Sequence, residues 1–326
     1  MNLGIVSPDS GDPISFYRSY GPFGYIARKH GLHIVTGQYW DSSVVQRCDV
    51  LFVQRPFSAD HVKVCQMAKS VKVPLWLDFD DDLTCLPLSN PVYEQYMTEQ
   101  IQKNLAHMVS LADIITVSTP ALAETFRGAS VIPNALDDVV WPFVDDERTN
   151  PPVAAWRGSF THFEDMEWCE PWVKALGERH NWHWHFHGTP HWWIYRALEH
   201  ERLKRFLYVS NHLEYMERFA KTNPSIVWVP LKDNRFNHGK SSCAWLEATR
   251  VGAVVVAPNW PEWQRPGIVN YAPHEPETFS GAMHDTMRMT AAERKSLGME
   301  SRKYITDHLL LENVNQQRLR ILNSLV

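Results

Sequence analysis

The stretch Val229-Pro230-Leu231-Lys232-Asp233-Asn234-Arg235-Phe236-Asn237-His238-Gly239-Lys240-Ser241-Ser242-Cys243-Ala244-Trp245-Leu246-Glu247, continued by Ala248-Thr249-Arg250-Val251-Gly252-Ala253-Val254-Val255-Val256-Ala257-Pro258, decides how the chain folds. Ile226 to Pro230 reads as a short buried strand, the polar run after it as a loop, Lys240 to Arg250 as a helix, and Ala253 to Ala257 as the next strand. In an open α/β sheet such a loop lies at the carboxyl ends of the strands, where ligands bind. The helix after the loop turns free N–H groups and a positive dipole end toward it. Lys240, Ser241 and Ser242 stand on that first turn, which suits a phosphate.

The run Val229 to Pro258 resembles the donor-binding segment of GT-B glycosyltransferases of the large retaining family-four type. In that family two Glu residues, eight positions apart, hold the sugar and the ribose of a nucleotide-sugar. Glu247 falls where the second belongs, and the helix end through Gly252 with an apolar strand after it is similar to the family's continuation of this segment. The first position is Gly239, so the chain departs from the pattern at the sugar-contacting residue. The wording Asn-Arg-Phe-Asn-His-Gly-Lys-Ser, with Leu-Glu after it, is similar to a divergent bacterial and phage branch. The resemblance implies an α/β fold of the GT-B type, two Rossmann-like domains facing a central cleft. It also implies donor-binding roles for Phe236, Asn237, His238, Gly239, Ser241, Ser242 and Glu247, with Lys240 on the phosphates.

At 326 residues the chain is long enough for two medium α/β domains. Its net charge of -5 excludes a globally basic surface, so any nucleic-acid contact has to come from a local patch. The five cysteines, Cys48, Cys65, Cys85, Cys169 and Cys243, are odd in number and form no CxxC pair. That pattern fits packed thiols in a reducing cytoplasm and disfavours a disulfide framework or a zinc ribbon. No apolar run approaches the length that spans a bilayer, and no secretory signal opens the chain, so a soluble protein of a bacterial or infected-cell cytoplasm is expected.

In the first half, Leu3 to Val6, His33 to Thr36, Val50 to Val53 and Leu75 to Asp78 read as strands separated by segments such as Ala59 to Ser70 that suit helices, the period of a parallel β-α-β sheet. After the first strand, the turn-rich Ser7 to Pro13 and the polar-aromatic Phe16 to Gly24 read as a glycine-bearing loop. By the resemblance this loop approaches the donor phosphates and the acceptor, which makes Tyr17, Arg18, Gly21 and Gly24 cleft candidates. Read alone, it is equally a surface turn whose Gly and Pro serve conformation.

The strand at Leu75 ends in Asp78-Phe79-Asp80-Asp81-Asp82, four carboxylates in five residues, a crowding that raises some of their pKa values unless a cation relieves it. Three readings stay open. Asp78 and Asp80 can form an Asp-x-Asp metal site for a diphosphate, because Mg²⁺ and Mn²⁺ prefer carboxylate oxygens. They can be cleft-facing catalytic or acceptor-side carboxylates, as the resemblance implies for this strand end. Or the run is a solvated loop whose Asp residues cap the next helix.

Pro91 to Leu111 reads as one long helix, Ile114 to Val117 as a strand, and Thr119 to Phe126 as a helix capped by Ser118 or Thr119 with Pro120 in its first turn. Val131 to Asp137 is similar to the family's Ile-Pro-Asn-Gly-Val-Asp strand end, with Ala135 at the Gly. Residues 1–140 are thus expected to be an acceptor-side domain. Asp137 to Pro152 has the Asp, Glu and Pro content of a linker.

Residues 150–305 are expected to be the nucleotide-sugar domain. It opens with Val153 to His162, a strand running into a small-residue loop and a helix from about Phe163. In the family this loop carries basic residues that neutralise the leaving diphosphate, which assigns Arg157 to that task beside Lys240, with Gly158, Ser159 and His162 as further contacts. Arg suits it, since its fork meets phosphate oxygens bidentately. His183, His185 and His187 alternate with Trp182, Trp184 and Phe186, so a strand would put all three imidazoles on one face. Zinc needs a fourth ligand of fixed geometry, so this reads as a half-exposed strand and not a metal site. Gly188-Thr189-Pro190 matches the family's Gly-rich turn beside the base. Residues 306–326, with Leu309 to Leu325 as a helix, are expected to cross back onto the first domain.

The expected function is therefore transfer of a sugar from a nucleoside-diphosphate sugar, with UDP favoured, to a hydroxyl on a glycan or on a hydroxymethylated base in phage DNA. Retention is implied by the resemblance. No cofactor beyond the donor substrate is required. The alternatives are a sugar-nucleotide-binding protein without turnover and a metal-dependent transferase using Asp78 and Asp80.

Overall fold

Runs of β-branched, Leu and aromatic residues extend into strands along the whole chain in a computed structural model, which describes every residue except 9–11, 39 and 146. The first half supplies β1 (Asn2–Val6), β2 (His33–Gly37), β3 (Val50–Gln54), β4 (Leu75–Phe79), β5 (Ile114–Val117) and β6 (Ser130–Val131). They form one sheet in the order β2-β1-β3-β4-β5-β6. The second half supplies β7 (Val153–Gly158), β8 (His183–Gly188), β9 (Leu203–Phe206), β10 (Ile226–Trp228), β11 (Val254–Pro258) and β12 (Ile268–Tyr271), ordered β12-β11-β10-β7-β8-β9. Every pairing in both sheets is parallel, so each strand returns through a crossover on a sheet face.

Burial on both faces explains the near-continuous apolar strands. One face of the first sheet packs Val53, Leu77 and Phe79 under helices Ala59–Ser70 and Glu99–Leu111. One face of the second packs Trp156, Trp184 and Trp228 under helices Phe163–Arg179 and Pro276–Arg288. The remaining faces share a single core through Trp76, Trp141, Trp245 and Leu322, which ties the two sheets together. The last helix, Leu311–Leu325, lies against the first half: Leu136 exchanges backbone hydrogen bonds with Leu309 and Leu311, and Asn315 Nδ2 donates to the Pro22 carbonyl.

Several elements differ from the sequence reading. Phe16 to Gly24 is helical and not a loop: Asp12 caps the N–H groups of Ile14 and Ser15, Pro13 opens the first turn, and the chain stays helical to His30. Gly21 is needed there because a Cβ would meet the Phe16 carbonyl oxygen at 2.5 Å. In the turn-rich run before it, Asp9, Ser10 and Gly11 lie outside the described residues. Pro91 to Leu111 splits into Tyr93–Tyr96 and Glu99–Leu111, because Thr98 accepts from the Ile101 N–H and starts a fresh helix. The helix expected from Lys240 begins at Cys243. The face of β8 carrying His185 and His187 is dry, since helix His212–Thr222 covers it through Phe219 and Tyr215. That helix, β9 and helix Ala291–Tyr304 are elements the sequence reading did not assign.

No helix among the described residues is long and apolar enough to cross a membrane. All five cysteines are free thiols.

Candidate active-site cleft

The carboxyl ends of the strands of both sheets converge on a cleft of about 380 Å³. From the first half it is lined by Tyr17, Arg18, Arg55, Asp80, Asp81 and Tyr96, and from the second by Arg157, Gly158, Ser159, His162, Gly188, Phe236, Lys240, Ser241 and Glu247. Arg157, at the end of β7, and Lys240, in the loop between β10 and helix Cys243–Arg250, thus face one space. Asp78, Gly21, Gly24, Thr189, Asn237, His238, Gly239 and Ser242 are not on its walls.

β7 and β8 run in register with Arg157 beside His187 and Gly158 beside Gly188. Gly188 has φ +104, and a Cβ on it would stand 2.1 Å from the Gly158 oxygen, so only glycine brings these strand ends together. Thr189 donates its N–H to that oxygen at 3.0 Å. Arg157 Nη2 donates to Glu247 Oε1 at 3.1 Å. Glu247, 2 % exposed, also accepts from Tyr17 Oη at 3.3 Å and Tyr215 Oη at 2.9 Å. Burial pushes its carboxyl pKa up, and Arg157 opposes that shift. His162 holds Asp165 at 2.9 Å, and Asp165 in turn accepts from the Lys232 N–H and from Asn237 Nδ2. Asn237 therefore shapes the loop from behind.

Lys240 Nζ lies 4.3 Å over the Phe236 ring and donates to Asp81 Oδ1 at 2.9 Å. Ser241 Oγ accepts from Asn134 Nδ2 of the first half at 2.9 Å. Ser242 gives its N–H and hydroxyl to Glu262 at 3.2 and 2.6 Å, so a carboxylate of the chain already sits at the start of helix Cys243–Arg250. Gly239 faces the first half: its carbonyl accepts from Thr119 Oγ1, and a Cβ would touch Leu122 at 3.0 Å. His238 stacks on Trp260 at 4.3 Å in a separate groove.

The acidic run at the end of β4 is neutralised by arginines. Asp78 is gripped by Arg18, Nε to Oδ1 at 2.9 Å and Nη2 to Oδ2 at 2.7 Å, and accepts from Thr116 Oγ1 at 2.6 Å. Arg18 also donates to the Ile132 carbonyl and to Asn134 Oδ1. Asp80 is gripped by Arg55 through Nε at 2.9 Å and Nη2 at 2.5 Å, and burial pushes its pKa up against that pairing. Asp82 caps Thr84 and accepts from Thr125. No cluster of His, Cys, Asp or Glu among the described residues has the arrangement of a metal site.

Arg55, Tyr96, His212 and Tyr215 are cleft residues that the sequence reading missed. Arg55 had a signal, a lone cation in Gln54-Arg55-Pro56 where an apolar strand stops, and its φ of +48 marks the sharp turn that the chain makes there. His212 and Tyr215 come after the Asn211 cap, a helix start with Met216 and Phe219 on its buried face.

The sequence matches no protein-family profile and no curated protein. Solved structures match it over nearly its whole length. Anabaena HepE in complex with UDP and glucose is 14 % identical, covering 99 % of this chain and 100 % of that one at a TM-score of 0.68. An E. coli trehalose-6-phosphate protein bound with UDP-2-fluoro glucose is 10 % identical, with 100 % and 99 % covered and a TM-score of 0.66. An alpha-glucosyltransferase in complex with UDP and a mismatched 13-mer DNA is 12 % identical, with 99 % and 98 % covered and a TM-score of 0.66. The fold is the GT-B fold, two Rossmann-like α/β domains around a central cleft.

Proposed function

We propose that the chain is a glycosyltransferase that moves a sugar from a nucleoside-diphosphate sugar, with uridine as the nucleoside, to an acceptor hydroxyl with retention. The observation that carries the reading is the meeting of Arg157 and Lys240 in one interdomain cleft of a GT-B fold. Similar folds are solved with UDP, UDP-glucose or a UDP-sugar analogue bound. In this reading residues 1–140 present the acceptor, residues 150–305 hold the donor, and residues 306–326 brace the first domain.

The chemistry is dictated by charge. Breaking the bond from the anomeric carbon to phosphate oxygen leaves an electron pair on the diphosphate. Cations fixed in advance stabilise that transition state more than the ground state. Arg157 and Lys240 supply them, with Ser241 and Gly158 beside the phosphates. The acceptor oxygen then bonds to the anomeric carbon on the face the diphosphate leaves, and its proton passes to a diphosphate oxygen. A metal held by Asp78 and Asp80 suits the site poorly, because their oxygens are engaged by Arg18 and Arg55.

Of the two acceptors, a glycan is favoured over hydroxymethylated DNA. Residues 1–140 contain fifteen Asp and Glu against ten Lys and Arg, so the whole net charge of -5 lies on the acceptor side, which repels a polyanion. A binder without turnover is the second reading, supported by Gly239 standing where the family has a carboxylate. Incubating the protein with a panel of sugar nucleotides, and either saccharides or hydroxymethyl-pyrimidine DNA, tests donor, turnover and acceptor, and the anomeric configuration of the product tests retention. Nucleoside-diphosphate release with a saccharide supports the transferase. Tight donor binding without release supports the binder, and transfer to DNA alone reverses the choice of acceptor.

A further inference from the structure

Asp81 lies between two cations from opposite sides of the cleft. Lys240 Nζ donates to its Oδ1 at 2.9 Å, and Arg55 Nη2 donates to its Oδ2 at 2.8 Å. The side chains of Asp81 and Lys240 are 16 % and 19 % exposed, so the pair is largely out of water but open on the cleft side. Burial alone would raise the Asp81 pKa, yet Lys240 and Arg55 outweigh it and bring it to about 2, which keeps the carboxylate ionised at every ordinary pH. Arg55 has a second anchor, since Asp80 Oδ1 accepts from its Nε at 2.9 Å. Beyond Asp81, the contact of the Lys240 ammonium among the described residues is the face of the Phe236 ring, a weaker hold than a second carboxylate.

One ammonium therefore has two anions within reach of its flexible stem: the carboxylate of Asp81 and, on the reading above, the diphosphate of a donor. A carboxylate oxygen held by a lysine and an arginine is chemically close to a phosphate oxygen held by the same groups. We propose that Asp81 is an internal competitor of the donor, holding Lys240 across the cleft until a diphosphate takes the ammonium from it. The exchange breaks one ion pair that joins the domains and leaves Asp81 on Arg55, facing the acceptor side. The inference rests on the donor assignment of Lys240.

The test is calorimetric titration of the full chain with UDP and, separately, inorganic pyrophosphate. Asp81→Asn keeps the shape and removes the competing charge, so both probes are expected to bind about fivefold tighter, the scale of one such ion pair. Lys240→Gln is expected to weaken both, and adding Asp81→Asn to it is expected to change nothing, because the gain operates through Lys240. Asp81→Ser serves if the Asn variant does not fold, as judged by its melting curve. Equal or weaker binding in the Asp81 variants, or a gain that persists without Lys240, overturns the exchange while leaving the donor site intact. A wild-type chain that binds neither probe takes down the donor reading and the exchange together.

Discussion

Arg157 and Glu247, ninety residues apart in the chain, form the central ion pair of the cleft, with Nη2 donating to Oε1 at 3.1 Å and Nε 3.0 Å from Oε2. Two tyrosines, one from each half, complete the shell of Glu247. The pair fixes the plane of the guanidinium on a side chain that remains 26 % exposed and lines the cleft. A buried carboxylate stripped of its cation costs several kcal/mol, so the two partners fail in different ways.

Arg157→Ala is accordingly expected to cut turnover by about a hundredfold or more and to lower stability as well. Adding Glu247→Gln removes the stranded charge and restores stability without restoring turnover. Thermal melts and initial rates on the three proteins check this. Equal recovery of both properties would mean that Arg157 is structural.

Lys240→Ala is expected to reduce turnover by about a hundredfold while the protein melts normally, since Asp81 keeps Arg55 as a partner. Rate measurement at saturating donor decides it, and full activity removes Lys240 from the site.

The pair Arg18 and Asp78 is buried at 1 % and 3 % side-chain exposure. Asp78→Ala leaves a guanidinium dry and without its carboxylate, which is expected to destabilise the fold by about 3–5 kcal/mol. Urea unfolding at pH 7 measures it; a loss below about 1 kcal/mol would show that the ion pair is not what holds β4 to the first helix.

How far the site was legible in the sequence differed from residue to residue. Arg157 was visible because it stands at the end of an apolar run, where the chain must leave the sheet toward the cleft, and Lys240 because it follows the polar loop after such a run, just ahead of a helix. Asp78 and Asp80 were visible as a charge cluster, but their partners, Arg18 and Arg55, are joined to them only by the pairing of β1, β3 and β4. The helix at Pro13 was hidden because Gly and Pro there read as turn signals, whereas Pro fits a first helical turn and Gly21 relieves a close backbone contact. The wet face expected for His185 and His187 failed because alternation does not reveal which face a later helix covers.

Those buried imidazoles set a pH dependence. Burial lowers His185 to about 4 and His187 and His212 to about 3, from 6.5. As pH falls below 6.5 the unfolded chain takes protons that the fold refuses. Stability is therefore whole above about 6.5 and is lost toward pH 4 by about 1.4 kcal/mol per unit per imidazole. Urea unfolding at pH 8.5, 7.5 and 5 is expected to be level across the first interval and to drop across the second. His185→Phe, beside Phe206, is expected to make that drop shallower.

Whether one diphosphate meets both cations is decided most directly by a crystal structure with UDP. Phosphate oxygens are expected within about 3 Å of Lys240 Nζ and of the Arg157 guanidinium, with Asp81 turned from Lys240 to Arg55 alone. Phosphates that touch neither residue, or UDP seated instead in the groove beside His238 and Trp260, would contradict it.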